Sequence, residues 1–171
     1  ITVSYDVSDG TNTIANTATV TLSGSNDAPT ITAITNSATE DTSTYTIDLL
    51  NGAQDSEGDT LSVANVTISA VDADGTNYNL PANTASVTGT TLSINPNQLN
   101  ALTTGEQVII TVSYDVSDGT NTIANTATVT LSGANDAPTI TAITNSATED
   151  ASAYTIDLLN GALDSEGDTL S

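Results

Sequence analysis

The sequence predicts an all-β protein built from antiparallel Greek-key β-sandwich modules in tandem. Three observations lead there. Segments throughout the chain alternate apolar and polar residues with a period of two. Turn residues separate those segments at short intervals, and no long amphipathic helix appears. Ile1 to Ser62 recurs as Ile110 to Ser171, a shift of 109 residues, the size of a small domain rather than of a solenoid turn. The two copies differ at four positions only: Ser25 and Ala134, Thr42 and Ala151, Thr44 and Ala153, Gln54 and Leu163.

The elements follow in order. In Gln107 to Val116, Val108, Ile110, Val112, Tyr114 and Val116 share one face of a strand. Ser117-Asp118-Gly119-Thr120 then supplies a hairpin turn, with Gly119 providing the positive φ. The returning strand, Thr122 to Leu131, carries Ile123, Ala127, Val129 and Leu131 on one face. Tyr45, Ile47 and Leu49 alternate with Thr46 and Asp48. Thr84 to Pro96 reads as two short strands turned at Gly89, and Asn97 to Leu102 as a single helical turn. Thr, Val and Ile favour strands throughout.

Punctuation sets the frame. Ser23-Gly24-Ser25-Asn26-Asp27-Ala28-Pro29 recurs at Ser132 to Pro138. Residues 28–136 then form one complete module. Residues 1–27 are the last two strands of a preceding one, and residues 137–171 the first strands of the next. Both flanks lack a counterpart of residues 63–109, so neighbouring chains in an assembly are one way to complete them. A module of about seven to nine strands fits an immunoglobulin-like or cadherin-like sandwich. In that topology the loop after the second strand and the final hairpin turn lie at the leading end. The first turn and the segment before the penultimate strand lie at the trailing end.

Composition narrows the function. The chain has no Lys, Arg, His or Cys against 21 acids, a formal charge of −21. No ion pair between side chains can form, and the chain should repel nucleic acid and anionic lipid. No apolar run is long enough for membrane insertion of this segment. Ser-His-Asp triads, Schiff bases, thiolates and Cys/His zinc sites are excluded. The metal ligands that remain are all oxygens, which suit a hard cation, Ca2+ above all.

The acids cluster. Asp55, Glu57 and Asp59 surround Gly58, and Asp164, Glu166 and Asp168 repeat them. Alternate carboxylates around a glycine turn are expected to converge on one cation, although the set lacks the twelfth-position Glu of an EF-hand. Asp72-Ala-Asp74-Gly75 is a shorter version. Any such cluster also reads as a solvated turn. Topology should place Asn26, Asp27 and Asp118 beside Asp55–Asp59 at the leading end. At the trailing end it should gather Glu40, Asp41, Glu106, Asn135 and Asp136 with Asp164, Glu166 and Asp168 of the next repeat. Glu149 and Asp150 are the second copies of Glu40 and Asp41. Asp6, Asp48 and Asp115 are expected to be exposed, solubilising charges.

These residues resemble a known family. Tyr114-Asp-Val-Ser-Asp-Gly119, Ala127-Thr-Val-Thr-Leu131-Ser-Gly133 and Asn135-Asp-Ala-Pro138 look like the end of the VCBS-type repeats of giant bacterial surface proteins. Ala38-Thr-Glu-Asp41 resembles the start of such modules, and Leu99 to Glu106 their short helix. Asp55 to Leu61 resembles the acidic loop they share with bacterial cadherin-like repeats. The resemblance implies tandem extenders of secreted RTX-type adhesins at the bacterial cell surface. Such extenders are often rigidified by calcium and exported by type I secretion, and they serve adhesion and biofilm formation. The Asn-Asp-Ala-Pro linker is shorter and less acidic than a cadherin joint, which implies one or two ions per joint rather than three.

The expected function is therefore structural: identical repeats in series, stiffened at their joints, projecting a distal binding domain. A calcium-dependent glycan- or cell-binding module is the alternative, though no aromatic platform for a sugar is evident. Catalysis by paired carboxylates is a third reading, but acids that recur at module ends suit joints better than a cleft. The chain is not expected to be an enzyme.

Overall fold

The computed structural model describes all 171 residues and contains nine strands and one 3-10 turn. β1 (Thr2–Ser8) and β2 (Thr13–Thr19) form a two-stranded hairpin. β3 (Ile34–Thr39), β4 (Tyr45–Asp48), β5 (Ser62–Asp72), β6 (Ala85–Thr88), β7 (Thr91–Ile94), the 3-10 turn (Pro96–Leu99), β8 (Gln107–Ser117) and β9 (Thr122–Ser132) follow. They make a four-stranded sheet, β3-β9-β8-β5, and a three-stranded sheet, β4-β7-β6. Every pairing is antiparallel except one. β3 runs parallel to β9, from Ile34 opposite Ala127 to Thr39 opposite Ser132.

The core lies between the two sheets and follows the period-two pattern. β8 buries Val108, Ile110, Val112, Tyr114 and Val116, and β9 buries Ala127, Val129 and Leu131. Leu92 and Ile94 of β7 face them, with Leu49 at the end of β4 and Leu99 and Leu102 of the 3-10 turn region. Each fully buried side chain of this size contributes about 1.5–3 kcal/mol. The Tyr114 hydroxyl crosses between sheets, donating to the Leu49 carbonyl (2.8 Å) and accepting from Asn125 Nδ2 (2.8 Å). Asn125 also donates to the Thr32 carbonyl (3.2 Å), so one amide ties β9 to the segment leading into β3.

The repeat provides an internal comparison. β1 and β2 have the sequence of the corresponding part of β8 and β9 and pair in the same register, Thr2 with Thr19 as Thr111 with Thr128. Yet Val3, Tyr5 and Val7 are exposed, whereas Val112, Tyr114 and Val116 are buried. Turn chemistry makes the hairpin: Asp9 Oδ1 accepts from Thr11 N and Asn12 N, as Asp118 Oδ1 does from Thr120 N and Asn121 N. Burial comes only from the facing sheet. After Pro138 the chain forms no strand, but Thr139 bridges Leu163 as Thr30 bridges Gln54.

Two details depart from the alternation. Asn65 takes a positive φ of 51° at an irregularity in β5 that shifts the register between Ala64 and Thr67. Its Nδ2 reaches Asp115 Oδ2 (2.8 Å), so Asp115 is half-buried rather than a free surface charge. Asp6 and Asp48 are exposed.

A candidate metal centre at the module joint

β3 ends at Thr39 and the chain turns sharply through Glu40 and Asp41. That turn places Glu40 inside the protein: the whole residue is 0% exposed. Its backbone N–H donates to the Ser132 carbonyl (3.1 Å), and its Oε1 accepts from Ala134 N. Its Oε2 is buried with no partner at all. Beside it the Asn97 amide, oriented with its nitrogen inward, donates to the carbonyls of Glu40 (3.0 Å) and Thr42 (3.1 Å). The 3-10 turn therefore buttresses the acidic turn from below. Asn100, at the end of the same turn, carries a buried Oδ1 without a donor.

The junction and the following repeat complete the cluster. Burial pushes the Glu40 carboxyl above its ordinary value of 4.5. The Ala134 N–H opposes that, and the charges of Asp41, Asp136 and Glu166 add to it. Asp136 is raised above 3.8 first by burial and then by the charge of Asp41. The Asp41 carboxyl therefore opposes ionisation of Asp136 across the joint. The charge of Asp164 adds to the upward push on Asp136. Glu166 is half-buried, and both of its carboxylate oxygens are inaccessible and unpartnered. Five acids from two repeats and their linker thus share one joint: Glu40, Asp41, Asp136, Asp164 and Glu166.

The leading end is built from the same parts. Asn26 Nδ2 donates to Asp118 Oδ2 (2.9 Å), Asn121 Nδ2 to the Asn26 carbonyl (3.4 Å), and Asp27 N to Glu57 Oε2 (3.2 Å). Asp118 is held below its ordinary 3.8, chiefly by the Asn121 N–H and then by that of Thr120. Asp55 Oδ1 accepts from Glu57 N (3.0 Å) and Asp59 N (3.0 Å), and Asp55 Oδ2 is buried and unpartnered. Glu57 and Asp59 are exposed. Asp164 repeats the cap, accepting from Asp168 N (2.9 Å).

The arrangement differs from the expected one in a specific way. Asp55, Glu57 and Asp59 do not wrap a common point; Asp55 Oδ1 instead holds its own loop. No three acidic side chains anywhere converge into a ready-formed cation cage. Asp72 Oδ1 likewise caps its own turn, accepting from Asp74 N (3.0 Å) and Thr76 N (2.8 Å). Glu106 Oε2 accepts from Thr103 N (2.8 Å), and its side chain lines a shallow depression with Asp72, Asp74 and Tyr78. Its backbone carbonyl accepts from Gly133 N (3.0 Å), so Glu106 meets the joint through its main chain. Asn135 is exposed, with Nδ2 on the Asp136 carbonyl (2.9 Å). Glu149 and Asp150 lie on an exposed turn. Asn97 and Asn100 were not among the residues singled out from sequence; an uncharged amide in a turn gives no pattern to find.

The two-sheet all-β fold agrees with a comparison of family sequences. The family model of the cadherin-like domain matches residues 25–132. The chain belongs to the cadherin-like domain family. Cadherin-like domains are adhesion-type extracellular modules, and no helix in this chain is long and apolar enough to cross a membrane. No curated protein matches. Among solved structures, a nucleoside hydrolase-related hypothetical protein from Saccharophagus degradans, associated with carbohydrate metabolism, is similar over 63% of this cadherin-like chain at 15% identity, with a TM-score of 0.31. The chain spans 26% of that structure's length.

Proposed function

We propose that this cadherin-like repeat is an extender of a secreted bacterial surface adhesin, stiffened by calcium at its joints, and that the array projects a distal binding domain. One observation carries the reading. Glu40 and Glu166, contributed by consecutive repeats, hold three buried carboxylate oxygens with no donor in a chain that has no basic side chain. A buried, unpaired carboxylate costs several kcal/mol in order of magnitude, so the joint is built for a partner that brings positive charge.

The donor set suits calcium. Glu40, Asp41, Asp136, Asp164 and Glu166 would hold the ion, with main-chain carbonyls and water supplying the rest of its six to eight oxygens, roughly. Bound there, calcium supplies the cationic charge that no side chain of this protein can. The protein's own contribution is orientation. Ala134 N fixes Glu40 Oε1, the Asp164 cap fixes the acidic loop, and the Asn97 amide fixes the turn. At the leading end Asp27, Asp55, Glu57, Asp59 and Asp118 form the corresponding half of a joint with the preceding repeat.

The test uses the full chain. Calcium titration by calorimetry, with small-angle scattering in calcium and in chelator, should show binding, a longer end-to-end distance and a higher melting temperature with the ion. Identical scattering and melting in both conditions would overturn the proposal.

A further inference from the structure

We infer that the β3–β9 pair is a force-bearing clamp and that Glu40 is its latch. The inference rests on the reading of the array as an extender, because an extender is pulled along its length. Tension reaches the module through the segment before β3 and leaves it through the segment after β9. Those two strands are neighbours and run parallel, Ile34 beside Ala127 through to Thr39 beside Ser132. Pulling the start of β3 one way and the end of β9 the other therefore slides the strands past each other. Evenly spaced parallel-ladder hydrogen bonds are then loaded together instead of breaking one at a time.

The trailing end extends the clamp beyond the last strand residue. Glu40 N holds the Ser132 carbonyl (3.1 Å), and Glu40 Oε1 holds Ala134 N, two residues past the end of β9. Between them Gly133 N donates to the Glu106 carbonyl (3.0 Å), and Gly133 lies so close to the Thr103 carbonyl that an added Cβ would sit 2.2 Å from it. The last residue of β9 and the two linker residues after it are thus pinned to the turn after β3 and to the segment before β8, at the point where force leaves the module. β4, β6 and β7 form the other sheet and lie off this direct path.

The absence of native Cys makes the geometry testable, since introduced thiols give unique handles. The full chain carrying Ala33→Cys with Ala137→Cys is pulled in optical tweezers, in chelator, along the chain axis. The full chain carrying Ala33→Cys with Thr120→Cys is pulled from two points at the leading end, which peels β3 from β9 bond by bond. All three positions are exposed. The axial pair should give a distinct high-force rupture and the peeling pair should lose it, because forced unfolding reports the barrier crossed rather than equilibrium stability. Adding Glu40→Ala to the axial pair should lower its rupture force. Equal forces in the two geometries would overturn the clamp. That failure would leave the scattering and calorimetry untouched, so it is distinguishable from failure of the extender reading.

Discussion

Glu40 and Glu166 belong to consecutive repeats, each carries buried carboxylate oxygen without a donor, and the charge of Glu166 adds to the upward push on the Glu40 carboxyl. Glu57, the copy of Glu166 one repeat earlier, is exposed and accepts from Asp27 N. Two chemically identical loops therefore sit in different fields. Replacing Glu166 with Gln should weaken calcium binding on the order of tenfold, since affinity follows ligand charge and site rigidity. Glu57→Gln should cost much less. Calorimetric titration of both variants checks this; equal losses would show that the two loops act alone.

The metal-free chain should respond to pH through the same joint. Glu40 and Asp136 have folded pKa values raised above their ordinary 4.5 and 3.8. In the window above those values the folded chain binds more protons than the unfolded one, so stability falls as pH rises through it. Asp118 works in the opposite sense. Its lowered pKa contributes stability above 3.8 that is lost as pH falls further. In chelator, the melting temperature should therefore rise as the pH falls from neutrality toward the ordinary carboxylate range and decline again below 3.8. In saturating calcium the rise should vanish, because protons and the ion compete for the same oxygens.

The Tyr114 hydroxyl bonds both Leu49 of the facing sheet and Asn125 of the next strand. Tyr114→Phe keeps the ring and strips both partners of a hydrogen bond, one of them a buried carbonyl. The expected loss is about 1–3 kcal/mol by chemical denaturation. The same change at Tyr5, whose hydroxyl meets only Asn16 on an exposed hairpin, should have little effect.

Gly133 is required by close approach rather than by backbone angle. A Cβ there would lie 2.2 Å from the Thr103 carbonyl and 2.6 Å from that of Leu102, both main-chain atoms that cannot swing away. Gly133→Ala should destabilise by about 3 kcal/mol or more. It should also disturb the joint, visible as weaker calcium binding. Gly24, its counterpart one repeat earlier, has open space around it, so Gly24→Ala in this chain is the control.

Much of this was legible in the sequence, and the reasons are specific. Period-two alternation identified the buried faces of β4, β8 and β9, and Gly89 and Gly119 marked the turns where they occur. What alternation carries is facing, not partnership: nothing in Ile34–Thr39 says that it pairs parallel with β9 rather than antiparallel with β4. The spacing of the acids in the sequence does not reveal their division of labour. Asp55, Asp72 and Asp164 each cap their own turn, because Asp in such a turn satisfies the nearest backbone N–H before anything distant. Glu40 looks in sequence like a polar turn residue. Its partners in the fold, the Asn97 amide and the Ala134 N–H, are distant along the chain.

Glu40→Gln separates the two duties assigned to that side chain. The amide retains an oxygen for the Ala134 N–H but removes the buried charge that Asp41, Asp136 and Glu166 oppose. In chelator at neutral pH the variant should be more stable than the parent, by about 1 kcal/mol or more, since an unpaired buried charge costs more than a neutral amide. In calcium the order should reverse, because the parent gains an ion that the variant holds poorly. Glu40→Ala loses the acceptor as well, leaving Ala134 N unsatisfied, and should gain less in chelator than Gln does. Denaturation curves of the three proteins with and without calcium measure both effects at once. A glutamine variant less stable than the parent in chelator would mean that water or a bound proton already relieves the Glu40 charge without a metal.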